Sequence, residues 1–162
     1  MTPSDECCTL APEGQCCPER RLPANVTCPA CGSRLRIVSA AQVMHHIVKP
    51  SGREIDREGD YWFCPGQSCE VVYVGPGGAL LYTADLRHPP AYKTKNTVDL
   101  LCYCFDVTGA EVLSPGAETA VAFISDRVRA GDCACDVLNP SAGCCLGSIA
   151  RYRKDARDCP TL

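Results

Sequence analysis

Cysteine spacing constrains this chain more than any other feature. Its cysteines fall into short groups: Cys7-Cys8, Cys16-Cys17, Cys28 and Cys31 in CPACG, Cys64 and Cys69 in CPGQSC, Cys102 and Cys104 in CYC, Cys133 and Cys135 in CAC, Cys144-Cys145, and a lone Cys159. Fifteen thiols in 162 residues, with only 6% aromatic residues and 13 each of Gly and Pro, mean that cysteine rather than a large apolar core staples the fold. The staples are either disulfides or metal thiolates. Six of the 15 cysteines are sequence neighbours, which cannot easily bridge each other across a trans peptide, and the count is odd. The N-terminus MTPSDECCTL shows neither a basic segment nor an apolar leader, so the expected compartment is the reducing cytoplasm and the expected staple is metal.

Other classes are excluded by what the chain lacks. No window approaches the roughly 18 to 20 apolar residues of a membrane helix, so no membrane insertion is expected. A formal charge of -3 gives no support for a nucleic-acid partner. No catalytic triad, carboxylate pair or phosphate loop points to turnover of an organic substrate, so the chain is not expected to be an enzyme.

Three parts are read along the sequence. Residues 1–25 are a Cys-rich flexible tail, polar and Pro-rich without a helical or strand period. Residues 26–90 form a zinc-binding unit: CPACGSRLRIV, a short amphipathic helix in SAAQVMHHIVK, and YWFCPGQSCEVVYV, which reads as two strands (61–63 and 71–74) joined by a cysteine-bearing turn. LRHPPAYKTKNT (86–97) lacks periodicity and reads as a linker. Residues 91–162 form a second unit, mainly helical. It has a capping box at Thr108 and Glu111, a helix in AETAVAFISDRVRA stopped by Gly131, and a basic, surface-lying helix near the C-terminus.

Cys28 and Cys31 converge on a tight turn in which Gly removes the Cβ that would crowd backbone N–H groups donating to sulfur. Cys64 and Cys69 come from the turn of the strand pair. Four thiolates on two turns make a closed tetrahedral site, the pattern of structural zinc. His45 and His46 are the competing ligands, but neighbours on a helix point about 100° apart, so at most one can face that site. One half-buried and one solvated histidine are expected.

Cys102, Cys104, Cys133, Cys135, Cys144 and Cys145 offer six thiols, and a 2Fe-2S cluster takes four. On an extended segment Cys102 and Cys104 share a face and can serve one cluster together. CYCF with VTGAEV behind it, then VRAGDCACDVLNPSAGCCLG, resembles the iron-sulfur half of CopZ-type copper metallochaperones, itself similar to bacterioferritin-associated ferredoxin. CPACG, VMHHIVKP and YWFCPGQSCEVVYV are similar to the zinc-binding half of that family, and the N-terminal CC and CCP pairs look like those of some members. The resemblance covers roughly residues 26–150.

The resemblance implies a small, metal-stapled α+β protein. A zinc-ribbon-like unit would be followed by a ferredoxin-like unit of the bacterioferritin-associated type. Zinc would sit on Cys28, Cys31, Cys64 and Cys69, and the 2Fe-2S cluster on Cys102, Cys104, Cys135 and Cys145, with Cys133 and Cys144 as the alternatives. It further implies a cytoplasmic metallochaperone in copper handling, whose cluster donates one electron to turn Cu(II) into Cu(I), with a copper-exporting ATPase or a separate copper carrier as partner. The competing class is an electron-transfer or cluster-carrying protein with no copper role. The heavy-metal-associated domain with its M-x-C-x-x-C loop is not found in this sequence, which ends at RDCPTL. Three arrangements follow: a last domain beyond this sequence, a short form working with a separate carrier, or a short form carrying Cu(I) on its own soft thiols, for which Cys7, Cys8, Cys16 and Cys17 are available.

Overall fold

The computed structural model describes residues 26–48 and 54–158. The tail cysteines Cys7, Cys8, Cys16 and Cys17, and Cys159, lie outside the described residues. The first half is an antiparallel meander, β1 (Arg36–Val38), β2 (Tyr61–Phe63), β3 (Val71–Val74) and β4 (Leu80–Tyr82), in spatial order β1-β2-β3-β4. Helix α1 (Ala40–His46) follows β1 directly; the Ser39 hydroxyl caps it by accepting from the backbone N–H of Gln42. In β2, Tyr61 and Phe63 are buried and Trp62 between them is partly exposed, the alternation of a half-buried strand. All four residues of β3 are buried because two clusters meet on it. Val72 and Tyr73 join the main core, and Val71 and Val74 join a small cluster with Leu35, Cys28, Cys64 and Cys69.

The segment expected to be a linker is instead packed. Helix α2 (Ala91–Thr94) lies within it and buries Ala91, Tyr92 and Lys93. Pro90 at its N-cap supplies the extended entry to the helix, and Lys95 in the left-handed region ends it at φ 60°. Periodicity cannot reveal one helical turn, which explains the difference.

The second half holds the hairpin β5 (Leu100–Cys102) and β6 (Val107–Thr108), then α3 (Gly109–Leu113), α4 (Ala117–Ala130), α5 (Cys135–Leu138) and α6 (Leu146–Asp158). The Thr108–Glu111 capping box is formed in both directions. Gly131 ends α4 at φ 78°, its N–H shared between the carbonyls of Arg127 and Val128. Helix α6 is basic, but it does not merely lie on the surface: Ile149 and Tyr152 are each 1% exposed and pack into the core against α3 and β5.

One main core runs through both halves, from Val38 and Val43 to Ile149 and Tyr152. Polar ties reinforce it. The Tyr73 hydroxyl donates to the Pro140 carbonyl at 2.9 Å, and the buried Gln42 amide donates to the Asn139 carbonyl. The sheet and α1 therefore hold the loop that connects Cys135 to Cys145. Among the described residues, no helix is long and apolar enough to cross a membrane.

Candidate metal centres

The Cys28–Cys31 turn closes on itself. Gly32 at φ 72° lets its N–H reach the Cys28 carbonyl at 2.8 Å, and the Cys28 N–H donates to the Ser33 carbonyl at 2.8 Å. Facing it, the Cys64–Cys69 turn is anchored by the Cys64 N–H on the Val72 carbonyl at 2.8 Å. A Cβ on Gly66 would stand 3.0 Å from the Cys31 sulfur and 3.1 Å from the Cys69 Cβ, so glycine is needed where the two turns meet.

The four sulfurs of Cys28, Cys31, Cys64 and Cys69 all lie within 4.8 Å of one another. Cys28–Cys69 is 3.9 Å and Cys31–Cys64 is 3.5 Å. A tetrahedral zinc with Zn–S bonds of about 2.3 Å sets its sulfurs about 3.8 Å apart, so the donor set fits that ion. Neither histidine belongs to this group.

The ionisation states also favour a cation. Burial pushes the Cys64 and Cys69 thiols up. Cys31 is exposed, and the Ser33 hydroxyl 3.2 Å from its sulfur stabilises the thiolate and holds it at about 6. Buried thiols that resist ionising alone lose their protons once a divalent cation compensates the charge.

Lys93 supports the second turn from outside. Its ammonium donates to the carbonyls of Gly66 at 2.8 Å, Cys69 at 3.1 Å and Val71 at 2.9 Å, and it lies 5.6 Å from the centroid of the Phe63 ring. All three donors are thereby used, although burial works against its charge. Sequence reasoning missed Lys93 because it sits in an aperiodic segment. Ser33 was accessible to it, two residues past Cys31 in the same turn.

A second group of thiols gathers where the hairpin meets the helices. Cys102 ends β5 and is fully buried, whereas Cys104 lies in the turn that Asp106 closes at φ 52°. The pair is therefore not on one extended segment, and the two thiols meet different partners. Cys104 lies 3.6 Å from Cys135, the first residue of α5. The Cys102 thiol neighbours that of Cys145, which directly precedes α6. Cys145 holds the Cys102 thiol low, at about 7, and Cys102, with burial, pushes the Cys145 thiol up.

Cys135 and Cys145 are buried, Cys133 is half-buried and Cys144 is exposed. Among the described residues, the Cys28 set is the one group of three or more ligand atoms within 4.8 Å, so the second group is not a single tetrahedron. It consists of two thiol pairs, Cys104 with Cys135 and Cys102 with Cys145.

The histidines lie elsewhere. His45 is exposed, and His46 is 4% exposed with its ring edge-on to Tyr103 at 5.8 Å. Burial, helped by the nearby charges of His45, His88 and Arg87, holds His46 down at about 4, so its ring is neutral at pH 7.

The comparisons with known proteins bear on the first of these sites. Residues 25–87 match the zf_CopZ family, described as a zinc binding domain. The chain is 29% identical over 125 residues to the copper chaperone CopZ of Archaeoglobus fulgidus, covering 76% of this chain and 60% of that protein. The chain thus spans about three fifths of that relative's length. Its fold is similar to the X-ray structure of the Archaeoglobus fulgidus CopZ N-terminal domain, with a TM-score of 0.61 and 28% identity over 78% of this chain and 96% of that one. The chain therefore carries a CopZ-like zinc-binding unit within a small α+β protein that is similar to CopZ over three quarters of its length.

Proposed function

We propose that this protein is a CopZ-like metallochaperone in copper handling, held together by one zinc and equipped to donate one electron to Cu(II). Zinc would sit on Cys28, Cys31, Cys64 and Cys69, a set with no open position and hence a structural role. Cys102 with Cys145, and Cys104 with Cys135, would hold the 2Fe-2S cluster. The carrying observation is the arrangement of these four thiols as two pairs, 3.6 Å apart in the Cys104–Cys135 case, in a chain similar to a copper chaperone.

When bound, the cluster supplies a single electron, the amount by which Cu(II) differs from Cu(I). Burial of Cys102, Cys135 and Cys145 keeps water from the site, and the loop from Asn139 to Cys144 is fixed by Tyr73 and Gln42. This positioning would resist rearrangement between oxidation states. The cysteine tail and the partner, a copper-exporting ATPase or a separate carrier, belong to the same reading by similarity to CopZ.

The test is anaerobic. Protein holding zinc and a dithionite-reduced cluster, freed of excess reductant, is mixed with Cu(II) and a chromophoric Cu(I) chelator. One Cu(I) formed per cluster reoxidised supports the reading. A reduced visible spectrum that persists in the presence of Cu(II) overturns the electron-donor role and favours a cluster carrier without a copper function.

A further inference from the structure

All three histidines of the chain line one cavity of about 450 Å³, although His45 and His46 come from the end of α1 and His88 lies some 40 residues later. The strands and α1 bring them together. Ile47 bridges to Leu86, and the Arg87 N–H donates to the His46 carbonyl at 2.9 Å, so the end of α1 lies beside the segment bearing His88. Tyr103, between Cys102 and Cys104, forms a further wall: its ring meets His46, and its hydroxyl donates to the His88 carbonyl at 2.9 Å.

Nε2 of His46 is buried without a hydrogen-bond partner among the described residues. A buried polar atom that meets nothing carries an uncompensated desolvation cost, and it is explained when a ligand completes it. The other two imidazoles are exposed, and the His45 ring lies 5.0 Å from that of His46, edge-on. Asp99 and Asp106 also line the cavity and supply negative charge, while the Arg87 Nε is engaged by the Ile47 carbonyl at 3.1 Å.

We propose that this cavity is the docking site for Cu(II), bound by the imidazoles of His45, His46 and His88 beside the Cys102–Tyr103–Cys104 segment. This rests on the copper-handling reading above and adds where the oxidised ion waits. The ligand chemistry is selective in the required direction. Imidazole nitrogen suits Cu(II), which heads the divalent affinity order, whereas Cu(I) prefers thiolate. An ion that gains one electron in this cavity changes its preference from these nitrogens to sulfur, so the site releases its product.

The test uses the full chain carrying zinc and the oxidised cluster, with remaining thiols alkylated, titrated with a Cu(II) salt and followed by electron paramagnetic resonance. Zinc and the oxidised cluster are silent, so the signal reports copper alone. The expected result is one Cu(II) per chain, with hyperfine coupling from at least two imidazole nitrogens. His45→Ala combined with His88→Ala, both exposed and so tolerated by the fold, should weaken binding at least tenfold while zinc content stays unchanged. Absence of nitrogen coupling, or unchanged affinity in the double variant, overturns the site. If Cu(II) binds the histidines but the reduced protein does not reduce it, the site stands and the electron-donor reading fails. If the double variant reduces Cu(II) as fast as the wild type, the site fails and that reading stands.

Discussion

The ammonium of Lys93 donates to the carbonyl of Cys69 at 3.1 Å, tying a helix of the expected linker to a zinc-site turn. With its bonds to Gly66 and Val71, it fixes both sides of that turn in a buried position. Lys93→Met keeps much of the volume but leaves these carbonyls without their donor, at a cost of about 3 kcal/mol. Urea unfolding of the zinc-loaded protein should show a lower midpoint, and zinc should leave faster to a chelator. Arginine should not rescue, because a planar guanidinium cannot reproduce three convergent donors. Wild-type behaviour of Lys93→Met would show that the turn holds itself.

Gly66 is the close approach between the two zinc-site turns. Gly66→Ala places a methyl carbon 3.0 Å from the Cys31 sulfur and 3.3 Å from the Ser33 hydroxyl, so the turns must part by a few tenths of an ångström. We expect zinc affinity to fall about tenfold, roughly 1.4 kcal/mol, with the visible spectrum of the second site retained. Competition against a chromophoric zinc chelator measures the first, and absorbance the second. Equal zinc affinity would mean that the turns adjust freely.

His46 sets an acid limit on stability. Its folded value is about 4 against an ordinary value of 6.5, so between these pH values the unfolded chain binds the extra proton. Its contribution is complete above pH 6.5 and is lost progressively as pH falls toward 4. Thermal unfolding of the wild type should therefore drop over that window, and His46→Gln should flatten the drop. Equal slopes for the two proteins would show that other groups govern acid unfolding.

How much of this was legible in the sequence depended on the length of the signal. Tyr61–Phe63, Val71–Val74, the Thr108–Glu111 box and the Gly131 stop each rest on a residue pattern within a few positions, and each appears in the structure. Helix α2 has only four residues, and its role depends on what Lys93 meets 22 to 27 positions away. Likewise Cys-x-Cys spacing indicates two nearby thiols but not their partners. Because the strand stops at Cys102, Cys104 is turned toward Cys135. The histidine cavity was hidden for the same reason: His88 joins His45 and His46 through the packing of three separate segments.

The choice among the six later cysteines can be settled by single substitutions. Cys135→Ser and Cys145→Ser should abolish or strongly shift the visible spectrum, since each removes a buried thiol from one of the two pairs. Cys133→Ser and Cys144→Ser, at more exposed positions, should leave it intact. Loss of the spectrum in either of the latter would reassign the ligands.

The proposed pairing of one zinc site and one two-iron site in the same fold can be checked by metal analysis of the anaerobically purified protein together with an electron paramagnetic resonance spectrum after dithionite reduction. One zinc and two irons per chain, with a rhombic S = 1/2 signal, are expected. A second zinc in place of iron, or two irons without that signal on reduction, would contradict it.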